Sequence, residues 1–204
     1  MRFFKWKDFL VTGLVCLLPV LFGLSLWEKL PDVMAIHFNV YAEADNFASK
    51  TFVVFVLPAI MVLAQFLGCF AADFNSYKHQ KTIKPESVTK WIIPILTVVL
   101  QIITIGYGIG WNIDIRKSVA FIVGVIFLVT GNYMPKADYV KNYKIEAHKA
   151  RKINRFLGYE TVVMGLLFIA TIFLPPESTI VCLVLLIPYT VIGVVYSIKI
   201  SKNK

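Results

Sequence analysis

The sequence predicts an all-α integral membrane protein with six transmembrane helices, both termini in the cytoplasm, and a short extended segment in the first extracellular loop. Three observations carry that expectation. The 204-residue chain is 58% hydrophobic with a mean hydropathy of +0.72, whereas a soluble domain is nearer about 45–50% apolar. Its apolar residues gather into six runs of a length suited to crossing about 30 Å of hydrocarbon. Its Lys and Arg residues collect on alternate loops between those runs, which is how cytoplasmic loops are marked.

The first run, residues 9–27, follows Arg2, Lys5 and Lys7 and would form a helix about 28 Å long at ~1.5 Å per residue. It ends in Trp27, Glu28 and Lys29 in place of the small residues of a cleavage site, so it reads as a retained span. The second and third runs cover 52–72 and 91–111. The fourth, 118–135, closes on Gly131-Asn132-Tyr133-Met134-Pro135. The fifth begins near Tyr159, with Glu160 in its first turn, and stops at Pro175-Pro176; the sixth covers 178–198.

Charge then sets the orientation. Seventeen of the 21 Lys and Arg residues lie before the first span, between the second and third, between the fourth and fifth, or after the sixth. Only Lys29, Lys50, Arg116 and Lys117 fall on the other side. This bias puts both termini in the cytoplasm. It also accounts for the net charge of +9, so no direct nucleic-acid partner is expected. No linker-like composition divides the chain. The expected organisation is one compact membrane domain made of two halves: 1–111 with the extracellular loop 28–51, and 112–204 with the basic cytoplasmic loop 136–158.

The longest polar interruption in the first half is 30–50. His37, Asn39, Glu43, Asp45, Ser49 and Lys50 in it are the candidate ligand-binding residues. Ile36, Phe38 and Val40 alternate with His37, Asn39 and Tyr41, as in a short strand lying on the bundle. Three roles stay open for the polar set: a solvated cap, a recognition surface, or a metal site at His37, Glu43 and Asp45. Neither a metal nor a cofactor is expected.

Inside the spans the polar residues are few. Gln65, Gln101 and Asn132 read as structural, since an amide in lipid must find a partner on another helix. Gly106, Gly108 and Gly110 suggest close packing, and Pro19, Pro58, Pro94 and Pro188 suggest tolerated kinks. Cys16, Cys69 and Cys182 lie in separate apolar runs and read as small core residues. No acidic residue is expected deep in a span, which weighs against a transporter. Zinc-protease, nucleophile-elbow and Walker motifs are missing, so no enzyme is expected. Val140, Tyr143, Ala147, Ala150 and Ile153 suggest a basic amphipathic helix on the inner leaflet over 136–155. There Lys149, Arg151, Lys152 and Arg155 would meet lipid or a cytoplasmic partner.

Two stretches together resemble the SdpI-type bacteriocin immunity proteins. The first is Leu30-Pro31-Asp32, Ile36-His37-Phe38-Asn39, Asp45 and Ser49-Lys50; the second is Gly131-Asn132-Tyr133-Met134-Pro135-Lys136 with Arg151-Lys152 and Gly158. The chain departs from that pattern at Ala35, where the family usually has Pro, and at Ala42 or a neighbour, where it has Gly. A Gly-Ile-Arg-Thr-Pro-Trp stretch is missing between Asn142 and Ala150. The resemblance implies a membrane protein that protects a cell from a secreted toxic peptide, its partners being that peptide and the bilayer. Some members also act as receptors that hold a cytoplasmic transcriptional repressor. The weighed alternatives are a small-molecule or peptide transporter and an intramembrane processing protein.

Overall fold

A computed structural model describes residues 4–39, 41–79, 84–136, 146–175 and 177–202. Among the described residues six helices are long and apolar enough to cross a membrane: α1 (Trp6–Ser25), α2 (Leu57–His79), α3 (Lys84–Gly108), α4 (Ile115–Tyr133), α5 (Ala147–Ala170) and α6 (Glu177–Lys202). A two-stranded antiparallel hairpin, β1 (Val33–Phe38) and β2 (Ala44–Ser49), joins α1 to α2. The protein is a multi-pass cell-membrane protein. The chain packs as two compact units, one holding α1, the hairpin, α2 and α3 as far as Ile115, the other holding α4 to α6.

In the first unit the core gathers where the hairpin meets the helices. Leu30, Met34, Val53, Val54 and Ile105 are buried together, with Leu26, Trp27, Ile36 and Ala48 packed around them. The approach is close enough to demand small residues. A Cβ on Gly23 would lie 2.8 Å from Val54, and one on Gly108 would lie 2.7 Å from Met34. Gly108 therefore serves the hairpin and not a neighbouring helix.

Two prolines shape this unit, and two glutamines compensate for them. Proline has no N–H, so a helical carbonyl one turn before it loses its partner. Pro94 stands four residues after Lys90, and Gln65 Nε2 donates to the freed Lys90 carbonyl at 2.9 Å. Ahead of Pro58 the backbone widens into a π turn at Phe52–Val56, with Leu57 N–H reaching Phe52 O. The next bond in that register would need a proline N–H, and Gln101 Nε2 fills it by donating to Val53 O at 2.7 Å. Both glutamines bind across helices, as a buried amide in lipid must.

In the second unit α4 and α5 meet at glycines. A Cβ on Gly158 would lie 2.7 Å from the Gly131 carbonyl, and one on Gly165 would lie 2.8 Å from that of Gly124. Pro135 also contacts Gly158. Met164, Phe168 and Cys182 form the core beside Phe127 and Tyr189. At one end, Arg116 donates to the Thr171 carbonyl and the Thr179 hydroxyl.

Three expectations need correction. The fifth helix begins at Ala147, twelve residues before the apolar run suggested. Arg151, Lys152 and Arg155 mask it to hydropathy but are exposed, while Ala150, Ile153 and Asn154 are buried. Residues 147–155 are thus the opening turns of a span, not a separate helix lying along the leaflet; 137–145, with Val140 and Tyr143, lie outside the described residues. Asn132 is exposed and accepts from Lys136, one turn along, at 3.5 Å. It is not interhelical glue. Finally, α2 runs on to His79, past the expected end of the second run at Ala72, and Asp73 in that extension is fully buried near the helix end.

Candidate functional site

The candidate residues of the first loop are brought together by the hairpin. β1 and β2 pair Val33 with Ser49, Met34 with Ala48, Ala35 with Phe47, His37 with Asn46 and Phe38 with Ala44, the register shifting around His37. Met34 points into the core, and Phe38 meets Tyr107 edge-on with centroids 5.0 Å apart. The hairpin is thereby seated on α3. Val40 lies outside the described residues.

The turn is built by one side chain. Asn39 Oδ1 accepts the N–H groups of Tyr41 at 2.9 Å and Glu43 at 3.0 Å. Its Nδ2 donates to Glu43 Oε2 at 2.9 Å. Asn suits this because its short amide mimics a backbone turn. The loop so formed drives Ala42 to a φ of +63°, a left-handed conformation natural to glycine and strained for alanine.

Beside the turn, His37 Nδ1 meets Asp45 Oδ1 at 2.5 Å, with both side chains well exposed. Ser49 and Lys50 do a different job at the base. The Ser49 hydroxyl accepts the Phe52 N–H at 3.2 Å and caps the helix that follows. Lys50 Nζ pairs with Asp32 at 3.0 Å and sits 5.1 Å over the Trp27 ring. The six candidates thus form three local groups: an Asn39–Glu43 turn, a His37–Asp45 pair and a Ser49/Lys50 anchor. Among the described residues no three His, Cys, Asp or Glu side chains converge as a metal would need. Next to the polar pairs, Val33, Tyr41 and Phe47 are exposed apolar surface, Tyr41 at 75% and Phe47 at 54%.

A second polar constellation, absent from the sequence reading, lies at the other end of the same unit. Lys90 Nζ donates to Asp73 Oδ1 at 2.6 Å and to Asp8 Oδ2 at 3.0 Å. The Lys90 side chain is 2% exposed and that of Asp73 0%. The Lys5 main-chain N–H adds a bond to Asp73 Oδ2 at 2.9 Å. Below this lies a neutral layer in which Gln65 Nε2 donates to Thr12 Oγ1 at 2.7 Å and lies 3.2 Å from Cys69 Sγ. The sequence does carry a signal for it. Asp8, Thr12 and Cys16 recur every four residues in α1, and so do Gln65, Cys69 and Asp73 in α2. Each set marks one stripe of a helix.

The basic candidates Lys149, Arg151, Lys152 and Arg155 fall in the first turns of α5. Lys149 pairs with Glu146 at 3.5 Å, and the three others are exposed.

Comparison with known proteins gives two matches. Residues 14–62, from α1 through the hairpin into α2, match a family described as a domain of unknown function (DUF1648). The chain is 22% identical over 190 residues to the immunity protein SdpI of Bacillus subtilis (strain 168), covering 89% of each. No solved structure matches the chain. The domain match over the hairpin and the nearly end-to-end alignment with SdpI together support an SdpI-type family for this chain.

Proposed function

We propose that this protein is a non-catalytic immunity protein of the cell membrane, and that its hairpin engages a secreted membrane-active toxic peptide. The observation that carries the reading is the similarity to SdpI over 89% of both chains, with a domain match centred on the hairpin. Charge supports the orientation it needs, because the distribution of Lys and Arg puts the hairpin outside and the termini inside. The surface chemistry supports it too. Exposed Val33, Tyr41 and Phe47 stand beside Glu43 and Asp45, offering apolar and acidic contacts to an incoming peptide.

The test is protection. Expressing the chain in a cell sensitive to a candidate peptide restores growth, and a reporter fused after Lys50 signals from the outside. An equal kill with and without the protein, at normal membrane levels, removes the immunity reading. Recruitment of a cytoplasmic repressor is the finer part of the proposal, and it falls to Lys149, Arg151, Lys152 and Arg155. Replacing these four with glutamine abolishes recruitment and leaves protection intact, because contacts at a charged membrane face decay within about 10 Å.

A further inference from the structure

The charged end of the first unit holds a cavity of about 220 Å³ with Lys7, Asp8, Val11, Ser87, Lys90 and Trp91 in its walls. Its depth follows from the helix ends that form it. Lys7 and Asp8 belong to the first turn of α1, and Ser87 opens the apolar stretch of α3. Trp6, Tyr77 and Trp91 are exposed at the same end, and exposed Trp and Tyr mark the level of lipid headgroups. The cavity therefore opens where headgroups lie.

Its walls carry both signs of charge. Lys90 is buried and held between Asp73 and Asp8. That grip fixes the Asp8 carboxylate while leaving its side chain 47% exposed. Lys7, next in the chain, is exposed on the same wall. An anion and a cation so placed match a ligand that carries an ammonium and a phosphate a short distance apart.

We propose that this cavity binds the headgroup of a zwitterionic phospholipid of the phosphoethanolamine type. Its primary ammonium donates to Asp8, and its phosphate rests on Lys7 with Ser87 and Trp91 alongside. A purely anionic headgroup would bring its charge beside Asp8, whose partner Lys90 is already shared with Asp73. A trimethylammonium headgroup has no N–H to donate. The inference stands apart from the toxin reading, since it uses none of the hairpin residues.

Native mass spectrometry of the purified full-length protein decides it. Ethanolamine, choline and glycerol phospholipids with identical acyl chains are offered in equal amounts, and the ethanolamine lipid is retained about fivefold or more over either competitor. Lys7→Gln, outside the buried cluster, weakens that retention at an unchanged melting temperature. Asp8→Asn removes the preference over the glycerol lipid. Because Asp8→Asn also touches Lys90, Val11→Trp supplies a variant that fills the cavity without altering charge, and it too loses the lipid. Equal retention of the three lipids by the parent overturns the proposal, as does undiminished retention by folded Val11→Trp. Soluble glycerophosphoethanolamine binding as tightly as the lipid would overturn the bilayer as its source.

Discussion

The two ends of the first unit are both held by polar side chains, and they are held in opposite ways. At the hairpin end His37 meets Asp45 and Asn39 meets Glu43, partners eight and four residues apart, with all but the half-buried Asn39 exposed. At the other end Lys90 meets Asp73 and Asp8, partners 17 and 82 residues away, with Lys90 and Asp73 sealed from solvent. An exposed pair typically contributes about 0–1 kcal/mol, because water competes for both partners. A buried pair that loses one member strands a charge and costs about 3–5 kcal/mol. The His37–Asp45 pair can therefore change at little structural cost, unlike Asn39, which closes the turn, and the charged helix ends cannot. A surface free to vary suits recognition, whereas the buried cluster fixes how α1, α2 and α3 meet.

The largest effect expected from this contrast is at Lys90. Lys90→Met leaves the buried Asp73 with only the more distant Lys5 ammonium, 3.8 Å away, and lowers stability by up to about 3–5 kcal/mol, read as a fall in thermal midpoint in detergent. Adding Asp73→Asn removes the stranded charge, so the double variant recovers much of the loss. If Lys90→Met melts like the parent, the cluster is not what holds this end.

How far the sequence discloses each end follows from the same contrast. Of the hairpin only the first strand was legible: alternation from Ile36 to Tyr41 predicts a short extended segment, which the structure places at Val33–Phe38, whereas the turn that Asn39 closes and the second strand, Ala44–Ser49, were not expected. The six spans were legible from hydropathy. The buried cluster was not, because Lys90 reads as one more loop cation and Asp73 falls just past an apolar run. Only the packing of three helices shows that they meet, although the four-residue stripes of Asp8-Thr12-Cys16 and Gln65-Cys69-Asp73 hint at it. The start of α5 was hidden for a related reason. Hydropathy averages Arg151, Lys152 and Arg155 with the buried Ala150 and Ile153, and so misses a helix with one polar face.

Between the two extremes lies Gln101. Gln101→Leu orphans the Val53 carbonyl in an apolar core and costs about 1–3 kcal/mol. Pro58→Ala returns an N–H to that turn, so the pair of changes together costs less than Gln101→Leu alone. A simple sum of the two effects in a double-mutant cycle would show that the glutamine does not compensate for the proline.

A smaller effect, of the opposite sign, belongs to the hairpin turn. Ala42→Gly relieves a φ of +63° and stabilises the protein by up to about 1 kcal/mol, reduced by the extra freedom glycine has when unfolded. Hydrogen exchange at the amides of Tyr41 and Glu43 is the sensitive measure, since both depend on the turn being closed. Faster exchange in Ala42→Gly would mean that the strain is not felt there.

The least structural effect is expected at His37 and Asp45, and it is the most informative. His37→Gln and Asp45→Asn remove an exposed pair, so each shifts stability by less than about 1 kcal/mol. If the hairpin is the recognition surface, protection against the toxic peptide falls sharply in both variants, although the fold and membrane level stay normal. Peptide binding to the purified variants falls in parallel. A loss of protection matched by a comparable loss of stability would instead make the pair a brace for the turn, leaving recognition to the apolar surface at Tyr41 and Phe47. Addition of a chelator separates a third role. His37 and Asp45 alone supply two ligands, fewer than a zinc site ordinarily uses, so protection and binding are unchanged by chelation. Full protection by both variants would reverse the contrast between the two ends, for the exposed pairs would then serve neither stability nor recognition.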